Sequence, residues 1–318
     1  MKRLGVVGTM VWDTIYGRGT GGDSVEEWGG IGYALATLEA TLPQDWQIVP
    51  LIKVGRDLAA QANEFLMNLT HRAGAARFVE VPEPNNRVTL RYQELVRSAE
   101  KMSGGVPPWN WEELGPMVQD VDALYVNFIS GFEMDLDTAL RLRRGFTGPI
   151  YADLHSLFLG VMADGLRVPE LPSEVATWFS CFDVVQLNES EMGLLGGDAL
   201  EVAARVLASG VRLLIVTLGP LGAVYFSVPS FTFARLDDTD RRVMGPIRTA
   251  RIPVSEAAHA LDPTGCGDVF GATVVSFLTQ GLDVVEAIRR GNENAARNLT
   301  HRGATDLHHL LRGEIVGK

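Results

Sequence analysis

Short apolar runs of strand length recur at residues 4–7, 48–52, 123–129, 149–152, 184–187 and 213–218. Between several of them apolar residues return at spacings of three and four, which predicts helices over 33–41, 57–72, 135–144, 199–209, 267–280 and 284–299. Strands that are apolar throughout and alternate with such helices predict an α/β fold with a mostly parallel sheet, covered on both faces. Two stretches break this rhythm: a glycine-rich one at 14–30, and one at 82–111 in which 87–95 alternates like a strand. They are expected to form a lid or small subdomain. No low-complexity linker or fixed-period repeat divides the chain, so one principal domain over 1–318 is expected.

Composition narrows the function classes. The 318 residues carry a net charge of −11 with no run of Lys or Arg, which excludes nonspecific binding to a nucleic-acid backbone. Cys181 and Cys266 are far apart and lack CxxC spacing, so neither a disulfide framework nor a structural zinc site is signalled. The N-terminus has a positive start without an apolar stretch or cleavage site behind it. The most apolar region, 206–231, is interrupted by Arg212 and Gly219-Pro220. A soluble, cytoplasmic protein that does not enter a membrane is expected.

Candidate chemistry concentrates at Leu261-Asp262-Pro263-Thr264-Gly265-Cys266-Gly267-Asp268, a turn that feeds a strongly apolar helix. Glycines there let the backbone approach a ligand, and the unpaired N–H groups of the helix start would hold a phosphate. Asp268 in the first turn is either a residue complementing the helix dipole or a general base beside the anion, and spacing leaves both open. Asn188 and Glu191, three apart after an apolar run, fit an N-cap and its capping-box partner. Asp13, a single acid after a strand, fits a turn residue.

Several segments, taken in order, resemble one family. Asp262-Pro263-Thr264-Gly265-Cys266-Gly267-Asp268 is similar to the C-terminal signature of the ribokinase-like (PfkB) carbohydrate kinases. Asp13 stands where that family has a substrate-binding acid, Gly29-Gly30 resembles its double glycine, and Val54-Gly55-Arg56-Asp57 resembles its V-G-x-D turn. Asn188-Glu189-Ser190-Glu191 matches its N-x-x-E motif, and Thr217-Leu218-Gly219-Pro220-Leu221-Gly222 resembles its T-x-G-x-x-G. The segment 292–304 is similar to its last helix and the following turn, bordering the adenine pocket.

The resemblance implies a three-layer α/β/α fold with a small β lid contributed by about 14–28 and 86–104. It implies transfer of the γ-phosphoryl group of ATP to a hydroxyl of a sugar or sugar-like molecule. Asp268 would take the hydroxyl proton, and the N–H groups of Gly265, Cys266 and Gly267 would hold the developing charge. Asp13, Gly29 and Gly30 would bind the acceptor, and Asn188, Thr217, Gly219, Gly222 and Asn292 the nucleotide. Glu191 would hold Mg2+ through water. Family habit adds a monovalent cation such as K+ near the loop 262–267 and a homodimer paired through lid strands.

The pattern also departs from the family. Ala34 stands where the family commonly has an Asn on the sugar, and Cys266 replaces a small Ala between the glycines, where packing is its expected role. Tyr151-Ala152-Asp153-Leu154-His155 lacks the common D-x-N form, so neither Asp153 nor His155 receives a role. Two alternatives remain: a nucleoside kinase with the same machinery, and a non-catalytic sugar- or nucleoside-binding protein that kept the fold. The G-x-G-x-x-G at 17–22 is followed by exposed-looking polar residues, so it does not signal dinucleotide binding. His308-His309 reads as a solvated helix face.

Overall fold

Each predicted apolar run becomes a strand of one eight-stranded sheet in a computed structural model that describes residues 1–16, 24–74, 76–93, 96–234, 245–254 and 262–315. The strand order is Arg248–Ile252, Ala223–Ser227, Leu213–Thr217, Val184–Asn188, Ile150–Asp153, Ala123–Asn127, Lys2–Val7 and Trp46–Leu51. The last six in this order are parallel, and the first two extend the sheet antiparallel.

Alternation along each strand divides the core into two faces. Val6, Tyr125, Tyr151, Val184 and Ile215 pack beneath the helices Ile31–Thr41, Cys266–Thr279, Val284–Asn298 and Leu307–Leu311. Val7, Val126, Ala152, Val185 and Val216 pack beneath Trp111–Met117, Leu136–Gly145, Val175–Phe179 and Ala199–Ala208. The parallel strands present their carboxyl ends along one edge, where ligands bind in open α/β sheets. There Asn127, Asp153, Asn188 and Thr217 each close an apolar run with a polar side chain.

The interrupting stretches 14–30 and 82–111 contribute a second sheet, in the order Val25–Gly30, Met10–Tyr16, Arg87–Gln93 and Val96–Ser103. Asp13 lies inside the strand Met10–Tyr16, opposite Glu27, instead of on a turn after the first strand. Residues 17–22, with their G-x-G-x-x-G, fall outside the described residues, as do 94–95 within the expected lid.

Three other expectations change. The helix expected over 57–72 shortens to a 3-10 turn Arg56–Leu58 followed by Ala59–Met67. Past it the backbone pairs with the sheet instead, Ile48 N–H donating to His71 O and Ala73 N–H to Ile48 O, each at 2.9 Å. The antiparallel strands Ala223–Ser227 and Arg248–Ile252 lie beyond the predicted set. His308 is buried against the core rather than solvated, and that burial lowers its pKa. Among the described residues no helix is long and apolar enough to cross a membrane.

Candidate active site

The helix Cys266–Thr279 starts at Gly265, which caps it with φ of 76° and ψ of −2°. That left-handed conformation favours glycine. A Cβ there would also meet the Tyr33 ring at 2.4 Å, so the turn closes onto Tyr33 only without a side chain. At Gly267 a Cβ would meet nothing within 4 Å and would enter open space above the helix start. The helix geometry leaves the first N–H groups without intrahelical partners. That of Cys266 donates to Pro263 O at 3.3 Å, so the expected cradle rests on a turn that already engages one of its three donors.

Asp268 lies in the first helical turn, and its Oδ1 accepts from Asn127 Nδ2 at 2.7 Å. Asn127 terminates the strand Ala123–Asn127, so its reach to Asp268 follows from the stacking of that helix on the sheet. The loop before the helix is pinned on two sides. Asn298 Nδ2 donates to Thr264 O at 2.9 Å, and the hydroxyls of Tyr92, from the second sheet, and Thr264 share a hydrogen bond of 2.8 Å. Cys266 Sγ lies 3.5 Å from Ala295 O and 3.4 Å from Asn298 Nδ2, which fits the packing role expected of it.

Beside this helix start is a cavity of about 260 Å³ lined by Asn188, Thr217, Gly265, Cys266, Gly267 and Asp268, together with Asp153, His155 and Gln186. The structure thus joins residues expected to handle nucleotide and phosphate and adds three, Asp153, His155 and Gln186, for which no role was expected. Gln186 Nε2 donates to Asp153 Oδ2 at 2.7 Å and to Gly267 O at 3.1 Å, linking two strand ends to the helix start. Register could have signalled these residues: Asp153 is paired with Asn127 on one side and Gln186 on the other.

Asn188 and Glu191 form the reciprocal capping box of helix Glu189–Leu194. Asn188 Oδ1 accepts from Glu191 N–H at 3.0 Å, and Glu191 Oε2 accepts from Asn188 N–H at 2.7 Å. Asn188 Nδ2 also donates to Glu191 Oε1. Burial pushes the Glu191 carboxyl up to about 7, against the pull of His155 and of the Asn188 hydrogen bonds. A buried carboxylate that is costly to charge and retains spare lone pairs fits a hard, water-bearing cation such as Mg2+.

The remaining nucleotide candidates lie apart from the cavity lining. Gly219 opens the 3-10 turn Gly219–Leu221, closed by Leu218 N–H donating to Gly222 O at 2.8 Å. Asn292 is buried, and its Nδ2 donates to Ile252 O at 3.0 Å, tying helix Val284–Asn298 to the edge strand. The turn at 301–304 rests on the second sheet through Ala304 N–H to Trp28 O at 3.1 Å.

Several acids lie near Tyr33. Asp13 is 3% exposed, and its Oδ2 lies 1.8 Å from where a Cβ of Gly29 would stand, so only glycine admits that carboxylate. Burial raises the pKa of Tyr33 well above its ordinary value, and the charges of Glu27, Asp13, Asp262 and Asp268 add to the effect. Its hydroxyl, buried among those groups, has no hydrogen-bond partner among the described residues. Burial, reinforced by Asp262 and opposed by Arg302, pushes Glu27 up to about 7. The V-G-x-D turn braces this region: Asn85 Oδ1 accepts from Gly55 N–H at 2.9 Å, and Asn85 Nδ2 donates to Met10 O at 3.0 Å.

Taken together, the Asp268 carboxylate at a helix N-terminus lines a polar cavity and is one of the acids that surround Tyr33. This constellation suits proton abstraction from a hydroxyl beside a phosphate.

Comparison with known proteins agrees. Residues 159–309 match the pfkB family of carbohydrate kinases. A guanosine-inosine kinase from Exiguobacterium acetylicum is 34% identical over 101 residues, which cover 31% of this chain and 27% of that protein. A Burkholderia thailandensis nucleoside kinase, solved in complex with inosine, superposes with a TM-score of 0.69 at 18% identity over 96% of this chain and 94% of that one. Thermotoga maritima ribokinase gives a TM-score of 0.70 at 18% identity, over 98% and 99% of the respective chains. At such identities the two structures show a shared fold, the ribokinase-like α/β/α architecture.

Proposed function

Because residues 159–309 match the pfkB family of carbohydrate kinases, we propose that this chain acts as those kinases do and transfers the γ-phosphoryl group of ATP to a hydroxyl of a sugar or nucleoside. The observation that carries this reading is Asp268, held by Asn127 at 2.7 Å at the start of the helix that borders the cavity. In the step, the acceptor oxygen forms its bond to phosphorus, the bond from phosphorus to the ADP oxygen breaks, and the hydroxyl proton passes to the Asp268 carboxylate. The transition state is loose, so positioning and electrostatics dominate the chemistry.

Asp13 orients the acceptor by accepting from its hydroxyls, its carboxylate admitted by the missing side chain of Gly29, with Gly30 beside it. Backbone N–H groups at 265–267 face the phosphoryl oxygens, aided by the helix dipole. Asn188, Thr217, Gly219, Gly222 and Asn292 support the nucleotide side. Mg2+, held by Glu191 through water, would neutralise phosphate charge when bound. A monovalent cation beside 262–267 belongs to the same reading, as does a lid formed by the second sheet, through whose edge two copies could pair.

A nucleoside acceptor is the second reading, favoured by the 34% identity with a guanosine-inosine kinase. ATP consumption with Mg2+ against a panel of sugars, sugar acids and nucleosides tests both. Turnover on one class names the acceptor; saturable binding without turnover would instead support a binding protein with this fold.

A further inference from the structure

His155 sits where the strand Ile150–Asp153 gives way to a 3-10 turn, His155–Phe158. Its backbone N–H donates to Asp153 Oδ1 at 3.2 Å, and its ring Nδ1 lies 3.2 Å from the same oxygen. Asp153 is in turn fixed by Gln186. The ring is therefore anchored at one nitrogen, while its side chain, 31% exposed, borders the cavity that the Gly265–Gly267 segment also lines. Ligand atoms of Asp153, His155 and Asp268 lie within 4.8 Å of one another.

The charged groups facing His155 are Asp153 on its own segment, Asp268 on the helix Cys266–Thr279 and Glu191 on the helix Glu189–Leu194. Burial disfavours the imidazolium, but these carboxylates outweigh it and push the pKa up to about 9. The imidazole thus lies beside the Asp268 carboxylate, in surroundings that favour its protonated form. Phosphoryl transfer takes place between an acceptor oxygen bound to Asp268 and the donor. The imidazole and the Asp268 carboxylate line the same cavity, so the ring nitrogen not held by Asp153 is the group free to meet a phosphoryl oxygen bound there.

We propose that His155 is a further catalytic residue, which donates a hydrogen bond to a non-bridging oxygen of the phosphoryl group in flight. The inference rests on the phosphotransfer reading. No bond to His155 forms or breaks, and it keeps its proton throughout. Its contribution is to stabilise charge that spreads over the equatorial oxygens, the role of a fixed donor in a water-poor site.

The test compares wild type, His155→Gln and His155→Lys with the acceptor found by the panel. Gln can keep the hydrogen bond to Asp153 but lacks the charge, and Lys keeps a charge. His155→Gln is expected to lose roughly 10²-fold in kcat, the effect of removing one such donor. KM for ATP is expected to change little, and His155→Lys to recover at least about tenfold of the lost kcat. Three results overturn the inference: unchanged kcat in His155→Gln; equal losses in both variants, as a purely positioning role requires; or full rescue of His155→Gln by raised Mg2+, as a metal ligand requires. If His155→Gln does not fold, a His155→Lys kcat as low as that of Asp268→Asn overturns it. Wild type without turnover on any acceptor would remove the phosphotransfer reading itself; active wild type with unimpaired His155→Gln would remove this inference alone.

Discussion

At the scale of the residue, the proposed acceptor side contains polar groups that the free protein tolerates at a cost. The Tyr33 hydroxyl is buried among Asp13, Glu27, Asp262 and Asp268 without a hydrogen-bond partner among the described residues. A buried polar group left unsatisfied costs about 1–3 kcal/mol, and replacing it by an apolar group of the same shape removes that cost. Tyr33→Phe should therefore raise Tm while increasing KM for the acceptor about tenfold, the effect of losing about 1.4 kcal/mol of binding. Thermal melts and steady-state kinetics check this, and an unchanged KM would remove Tyr33 from the acceptor pocket. Glu27 supplies a pH signature of the same pocket. Its folded-state pKa is raised from 4.5 to about 7, with Asp262 and Arg302 the charges that act on it. The folded state holds this proton more tightly than the unfolded one, so the stabilisation is complete below the unfolded value and is lost as pH rises through about 7. Urea denaturation at about pH 5 and about pH 8 should show Glu27→Gln with a smaller loss of stability across that interval than wild type. Equal losses would contradict the assignment.

At the scale of the element, the parallel strands were legible because both of their faces are buried and each reads as a continuous apolar run. Arg248–Ile252 was not, because it is an edge strand whose side chains are mostly exposed or half-buried. The helix Cys266–Thr279, its glycine turn and the Asn188–Glu191 capping pair were legible from local chemistry, whereas the roles expected of Asp13 and Asp268 came from the family resemblance. Asn127, Asp153, Gln186 and His155 were not, since their meaning comes from sheet register and from the helix stacked above them, which are properties of residues far apart in sequence. Glu191 forms the capping box that its spacing predicted, and the Mg2+ role implied by the resemblance falls on a carboxyl whose pKa burial raises to about 7. Glu191→Gln keeps an acceptor for the Asn188 N–H, so the change in stability should stay below the roughly 1 kcal/mol of a lost cap. The Mg2+ concentration needed for half-maximal turnover should rise, and a titration showing no shift would leave Glu191 as a cap alone.

At the scale of the whole molecule, the proposed acceptor and donor sides come from different parts of the chain. Asp13, Gly29 and Glu27 belong to the second sheet, whereas Asp153, Asn188 and Thr217 end strands of the central one. The start of helix Cys266–Thr279 and the loop before it touch both, the loop through Thr264 to Tyr92 and the first helical turn through Gly267 to Gln186. A general base at that junction is the central claim. The most direct measurement is ATP turnover with Mg2+ and the acceptor found by the panel, comparing wild type with Asp268→Asn. The predicted result is a loss of roughly 10²–10⁴ in kcat, the contribution of a positioned base, with ATP binding retained; an Asp268→Asn variant that keeps the wild-type kcat would contradict it.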